Sequence, residues 1–182
     1  MLKQVMTALF GASFCVGACA NDVFLDANPD TAHARIDATH NSRKLILSGA
    51  VVITSDHGNL ASVAAFTHSR LSNDSPVHGG FGAKAFAVDP KGDSFVALAG
   101  GGNLGFDFPN VRGLSLNAEL FYAPGVTITS DIDSLVDLTI DVQYALFENG
   151  GVYAGMRNLQ ADTKNGDYKF DDDLHVGIHF SF

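Results

Sequence analysis

The sequence predicts an all-β protein: a transmembrane antiparallel up-and-down β-barrel of ten strands, with eight as the alternative. Three observations predict it. The last ten residues, DLHVGIHFSF, alternate without a slip: Leu174, Val176, Ile178, Phe180 and Phe182 fall on one face of a strand, and Asp173, His175, Gly177, His179 and Ser181 on the other. An apolar face of that size needs a core or lipid, and the polar opposite face suits an enclosed lumen. No stretch after residue 20 has the run of apolar residues that a membrane helix needs, so a membrane crossing here has to be a closed sheet. The rest of the chain repeats the first pattern, in period-two segments separated by turn signals. A soluble sandwich or lipocalin-like barrel is the alternative architecture.

Residues 1–20 read as a secretory signal peptide, with Lys3 as the charged region, Val5 to Gly17 as the apolar run and Ala18-Cys19-Ala20 as the cleavage pattern. Cleavage there removes both cysteines and leaves residues 21–182 as a single barrel domain without thiol chemistry. Val16-Gly17-Ala18-Cys19 also fits a lipoprotein box, in which Cys19 would be lipidated. Twenty acidic residues stand against eleven Lys and Arg, one of which is Lys3. That balance argues against a nucleic-acid partner.

Taken in order, the predicted strands begin with two short segments, Val23 to Ala27 and Ala32 to Thr39, around a plausible Asn28-Pro29-Asp30 turn. Leu45 to Thr54 and Leu60 to His68 form a hairpin around residues 55–59. Val77 to Val88 and Asp93 to Phe106 follow, joined through Asp89-Pro90-Lys91-Gly92, with faces softened by glycine and alanine. Val111 to Tyr122 is stopped by Ala123-Pro124-Gly125. Ile132 to Phe147 places Val136, Leu138, Ile140, Val142, Tyr144 and Leu146 opposite Asp137, Thr139, Asp141 and Gln143. Gly151 to Asp162 and Lys169 to Phe182 close the set, with Asn165-Gly166 as their turn signal.

An exported barrel with both termini in the periplasm needs an even strand count, so the two short N-terminal segments either form one hairpin, giving ten, or lie outside an eight-stranded barrel. Aromatics gather near strand ends: Phe106, Phe108, Phe147, Phe180 and Phe182 toward the periplasmic rim, and Phe86, Tyr122, Tyr168 and Phe170 toward the outside.

Four stretches carry a family resemblance: KGDSFVALAGGGNLGFDFP (Lys91 to Pro109), LSLNAELFYAPG (Leu114 to Gly125), VYAGMRNLQAD (Val152 to Asp162) and the final DLHVGIHFSF. Together they resemble the YfaZ-type family of Gram-negative outer-membrane proteins over roughly residues 45–182. The resemblance implies a small integral outer-membrane barrel whose family has no established biochemical activity. The spacing of His175, Gly177, Phe180 and Phe182 also resembles the signal that the barrel-assembly machinery reads on a final strand.

Catalytic motifs are absent from the sequence: no G-x-S-x-G elbow, no H-E-x-x-H and no P-loop. His175 and His179, four residues apart on one strand, are separated by roughly 13 Å and cannot share a metal or proton relay by themselves. His33, His40, His57, His68 and His78 have no metal-ligand spacing. Lys84, Glu119, Asp137, Asp141 and Arg157 sit mid-strand, where a lipid-facing charge costs about 2–4 kcal/mol, so they should point inward and, with His175 and His179, form a polar network in the lumen. A three-residue turn at Glu148-Asn149-Gly150 would place Asp141 opposite Arg157. A barrel of this size is mostly filled by its own side chains, which favours a plug over a pore.

The expected function is therefore a structural or small-pore outer-membrane barrel, not an enzyme, with no cofactor and no metal. Its expected partners are outer-membrane lipids, periplasmic chaperones and the assembly machinery, and its expected state is a monomer. A lipid-modifying enzyme and a soluble periplasmic ligand-binding barrel are the competing functions.

Overall fold

The computed structural model describes residues 21–40, 45–55, 58–72, 74–89, 94–163 and 166–182. The signal-peptide reading with Cys19, and the loop readings on His57, Lys91 and Asn165, lie outside the described residues.

Ten strands form one antiparallel ring: β1 Asp22–Ala27, β2 Thr31–His40, β3 Leu45–Thr54, β4 Asn59–Thr67, β5 Val77–Asp89, β6 Phe95–Asp107, β7 Leu114–Pro124, β8 Ile132–Phe147, β9 Gly150–Thr163 and β10 Gly166–Ser181. After His68, Ser69–Arg70 continues β4 as a two-residue segment paired with β5. The ring closes where β1 pairs with β10, from Asp22↔Ser181 to Ala27↔Val176. Both ends of the described chain thus lie at one rim, here called the terminal rim; the opposite opening is the far mouth. The N-terminal hairpin is part of the wall, which settles the count at ten. Its turn is made by the Asn28 side chain, whose Oδ1 accepts from the backbone N–H groups of Asp30 (3.0 Å) and Thr31 (2.7 Å).

Strand β7 differs in extent from the sequence reading. Strand β7 begins at Leu114 because residues 108–113 turn, with Val111 N–H donating to the Phe108 carbonyl and Gly113 at φ +84°. It runs on through Pro124 into a 3₁₀ turn, Gly125–Thr127. The loop that follows hydrogen-bonds to the upper edge of β6, Thr129 N–H to the Val96 carbonyl at 2.9 Å, and occupies ladder positions that β7 leaves free.

The period-two faces of β10 are as expected. Leu174, Val176, Ile178, Phe180 and Phe182 are exposed on the outside, and His175 is buried inside. On β8, Val142, Tyr144 and Leu146 are exposed outward while Asp137 is buried. The outer face of this lower wall is therefore an apolar belt facing away from a polar lumen.

Higher up, the pattern inverts. On β9, Val152 and Met156 point outward and Tyr153 and Arg157 inward, but beyond Arg157 the outward positions are Asn158, Gln160 and Asp162 and the inward ones Leu159 and Ala161, both buried. Strand β10 matches it in register: Met156 pairs with Leu174, and Asn158 with Asp172, to whose carboxylate the Asn158 amide donates at 2.7 Å. A β-bulge between Leu159 and Gln160 shifts the register there and turns Phe170 and Asp171, consecutive in sequence, into buried positions.

The inward apolar residues of this upper region form one cluster that includes Val52, Leu60, Phe86, Val88, Phe95, Phe121, Ile128, Leu135, Leu159 and Phe170. They come from eight strands, β3 to β10, and the β7–β8 loop, all at the far-mouth ends of their elements. This corrects the expected aromatic girdle: Phe86 and Phe170 are lumen residues, whereas Tyr122 and Tyr168 are exposed as expected.

Candidate functional site: a charged lumen beneath an apolar plug

Below the plug, all seven sequence-predicted lumen residues face inward, divided among separate groups. Lys84 on β5 donates from Nζ to Glu119 Oε1 on β7 (3.0 Å) and Asp137 Oδ2 on β8 (2.7 Å). The same ammonium lies 5.4 and 5.3 Å from the ring centroids of Phe86 and Phe121, so it sits where the plug meets the charged layer. Arg157 on β9 donates to Asp26 on β1 and Asp171 on β10, each at 3.1 Å. His175 Nε2 meets Asp141 Oδ1 at 2.7 Å. His179 meets Asp22 Oδ1 through Nε2 at 3.0 Å and the Gln143 amide through Nδ1 at 2.8 Å.

The expected Asp141–Arg157 pair is not formed. The β8–β9 turn is tighter than three residues, with Gly150 already pairing with Phe147, and a bulge between Gly150 and Gly151 shifts the register once more, which sets Asp141 opposite Gly155 and Arg157 opposite Thr139. A Cβ on Gly155 would come within 2.1 Å of Asp141 Oδ1, so the carboxylate occupies the space the glycine leaves and reaches across to His175. The same device recurs beside it. Tyr153 and Gly177 are register partners, and the tyrosine ring lies where a Cβ on Gly177 would be.

Strands β1 and β2 contribute residues that the sequence reading had not placed in the lumen. Asp26 accepts from Arg157, from the Tyr153 hydroxyl (2.7 Å) and pairs with His33 Nδ1 (2.7 Å). Arg35 lies between Asp37 Oδ2 (3.4 Å) and Glu119 Oε2 (3.7 Å), with its guanidinium 4.1 Å from the centre of the Phe24 ring. These groups together hold seven carboxylates, Asp22, Asp26, Asp37, Glu119, Asp137, Asp141 and Asp171, against three permanent cations, Arg35, Lys84 and Arg157. Breaking one buried pair by removing a single partner costs about 3–5 kcal/mol, so each cation here is a structural keystone.

Little space remains in the charged layer. A cavity of about 30 Å³ lies among Asp26, His33, Lys84, Asp137 and Arg157. A larger one of about 210 Å³ lies below it, lined by Arg35, Asp37, Phe66, Asn103, Glu119 and Tyr153 and reaching His68 and His78 near the terminal rim.

A closed ten-stranded ring with an apolar belt and a packed polar lumen agrees with a family match over the whole chain, residues 1–182, to the model of the YfaZ precursor family. The chain belongs to this family. The resemblance read from residues 45–182 thus extends to the full sequence. No curated protein matches the chain. Among solved structures, the outer membrane channel DcaP of Acinetobacter baumannii is similar at 17% identity and a TM-score of 0.43, covering 88% of this chain and 54% of that one. The chain thus spans about half the length of that channel.

In this YfaZ-family barrel, a serine, a histidine and an aspartate do meet at the terminal rim. Ser181 Oγ donates to Asp22 Oδ1 at 2.7 Å and lies 3.1 Å from His179 Nε2. Asp22 occupies that same histidine nitrogen, with Gln143 on the other. A nucleophilic relay needs the carboxylate and the hydroxyl on opposite ring nitrogens, so this cluster is a hydrogen-bonded brace of the β1–β10 seam. In the proposed assembly signal, Phe180 is exposed on the outer face, while His175 and Gly177 point into the lumen beside Tyr153.

Proposed function

We propose that the protein is an integral outer-membrane barrel of a Gram-negative bacterium, exported through a cleaved signal peptide, whose lumen is closed and whose role is structural. It works as a monomer without cofactor or enzymatic activity, with the terminal rim in the periplasm and the far mouth outside. The apolar belt of β8 to β10 supports insertion into lipid, and exposed Phe180 and Phe182 on the last strand support delivery by the assembly machinery.

The observation that carries the closed lumen is the apolar plug. Phe86, Phe121, Leu135 and Leu159 are all under 2% exposed inside the far mouth. An ion crossing there would give up its hydration to a packed hydrocarbon layer, and directly beneath it, between Lys84 and Arg157, lies a void of only about 30 Å³. Planar-bilayer recording tests this. The purified barrel is expected to give no conductance steps, and steady single-channel currents from the parent protein would refute the closed lumen. Heat-modifiable migration in detergent tests the barrel's membrane character, and an exported form that stays soluble without detergent would refute it. Mass analysis of lipid A from overproducing cells, expected to be unchanged, tests the absence of a lipid-modifying activity.

A further inference from the structure

We propose that the 210 Å³ cavity in the terminal-rim half of the lumen is a binding site for a small organic cation, recognised through its ammonium groups. It goes beyond the structural role proposed above, and rests on it only in placing the cavity's opening toward the periplasm.

Charge gives the first reason. The lumen groups hold four more carboxylates than arginines and lysines, and three of those carboxylates, Asp37, Glu119 and Asp141, line this cavity. Carboxylates held away from water need a counter-charge.

Unpaired acceptors give the second. Asp37 is more than nine-tenths buried, and its Oδ1 has no hydrogen-bond partner; the carboxylate also faces the Ser48 side chain, and Arg35 Nε lies 3.4 Å from Oδ2. Asn103 Oδ1, on the same lining, is also buried without a partner. Two orphan acceptors on one cavity wall call for a guest that donates.

The lining also selects among guests. An anion finds one cation, Arg35, whose Nε is itself without a hydrogen-bond partner but whose guanidinium is already flanked by the carboxylates of Asp37 and Glu119 and by the face of Phe24, so an anion would enter beside two like charges. A bare metal ion fits poorly, because among the described residues no three His, Cys, Asp or Glu side chains are placed to hold one. Phe66, Ile46 and Tyr153 add apolar wall suited to methylene groups. An alkyl chain carrying ammonium groups satisfies both parts of the lining.

Calorimetric titration of the folded protein in detergent with 1,4-diaminobutane tests this, with 1,4-butanediol as the neutral probe of equal length and sodium chloride at matched ionic strength as the counterion control. Saturable single-site binding of the diamine and none of the diol is expected. Asp37→Asn, which keeps the shape and removes the charge, should weaken binding about tenfold or more, the worth of one hydrogen bond to a charged group, and Asn103→Ala should weaken it less. Heat-modifiable migration verifies that each variant is folded, and the diamine-to-diol comparison on the parent protein stands if a variant is not. Equal binding of the diol, no binding of the diamine, diamine binding abolished by matched sodium chloride, or an undiminished affinity in folded Asp37→Asn would overturn the proposal. None of these outcomes depends on the bilayer conductance, so the two readings fail separately.

Discussion

Phe95 and Phe170 meet ring to ring across the far mouth, centroids 6.5 Å apart, from strands four places apart around the wall. That separation is within the range in which aromatic pairs attract. Side chains from both sides of the ring therefore meet inside the far mouth.

If this layer is the seal, thinning it should open the barrel. Phe86→Ala is expected to cost about 3–5 kcal/mol of unfolding free energy, as for a buried aromatic truncated in a core, measured by urea unfolding in detergent. The double variant Phe86→Ala/Phe121→Ala should pass current in planar bilayers where the parent does not; electrical silence would place the seal elsewhere.

Arg157→Met leaves Asp26 and Asp171 facing each other without their shared cation. A destabilisation of about 3–5 kcal/mol is expected. Adding Asp171→Asn should return part of it, and a double-mutant cycle showing no coupling between the two positions would contradict the ion pair.

Glycine positions separate by what lies above them. Gly177→Ala pushes a Cβ against both the Tyr153 ring and the Leu25 backbone carbonyl and is expected to cost about 1–3 kcal/mol. Gly100→Ala meets nothing within 4 Å and should be neutral or slightly stabilising. Equal effects at the two sites, read from unfolding midpoints, would show that the tyrosine and the β1 backbone at Leu25 can both move aside.

On the outer surface, Val142→Arg places a cation in the apolar belt opposite Ala154 and should cost about 2–4 kcal/mol in lipid bilayers. Gln160→Arg, outward on β9 beyond Arg157, should stay within about 0.5 kcal/mol of the parent. A belt position as tolerant as Gln160 would mean that this surface faces water.

Much of this architecture is legible in the sequence because a period of two fixes faces without reference to anything distant. Leu174 to Phe182 and Val142 to Leu146 needed only alternation, and Lys84 and Asp137 had nowhere to go but inward. The register of β8 against β9 was less accessible: it depends on turn length and on bulges, and a tighter turn together with the bulge at Gly150 and Gly151 moved Arg157 from Asp141 to Thr139. The true partner of Arg157, Asp26, is 131 residues away in a six-residue strand whose alternation is weak. The plug was hidden for a different reason. Alternation shows which residues share a face, but which face is enclosed came from the lower wall, and one short run beside Leu159 is all that signals that polarity has changed sides. Asn158, Gln160 and Asp162, polar at successive outward positions, were the available sign.

That exchange of sides along β9 and β10 also fixes the draught of the protein, as a waterline does for a hull. Sinking by one rung would drag Asn158 and Asp172 among acyl tails, and rising by one would lift Met156 and Leu174 into water; both displacements are uphill. With Phe86 and Phe170 turned inward, the two adjacent rungs Met156–Leu174 and Asn158–Asp172 hold the vertical position that an outer ring of aromatics would otherwise set on this side.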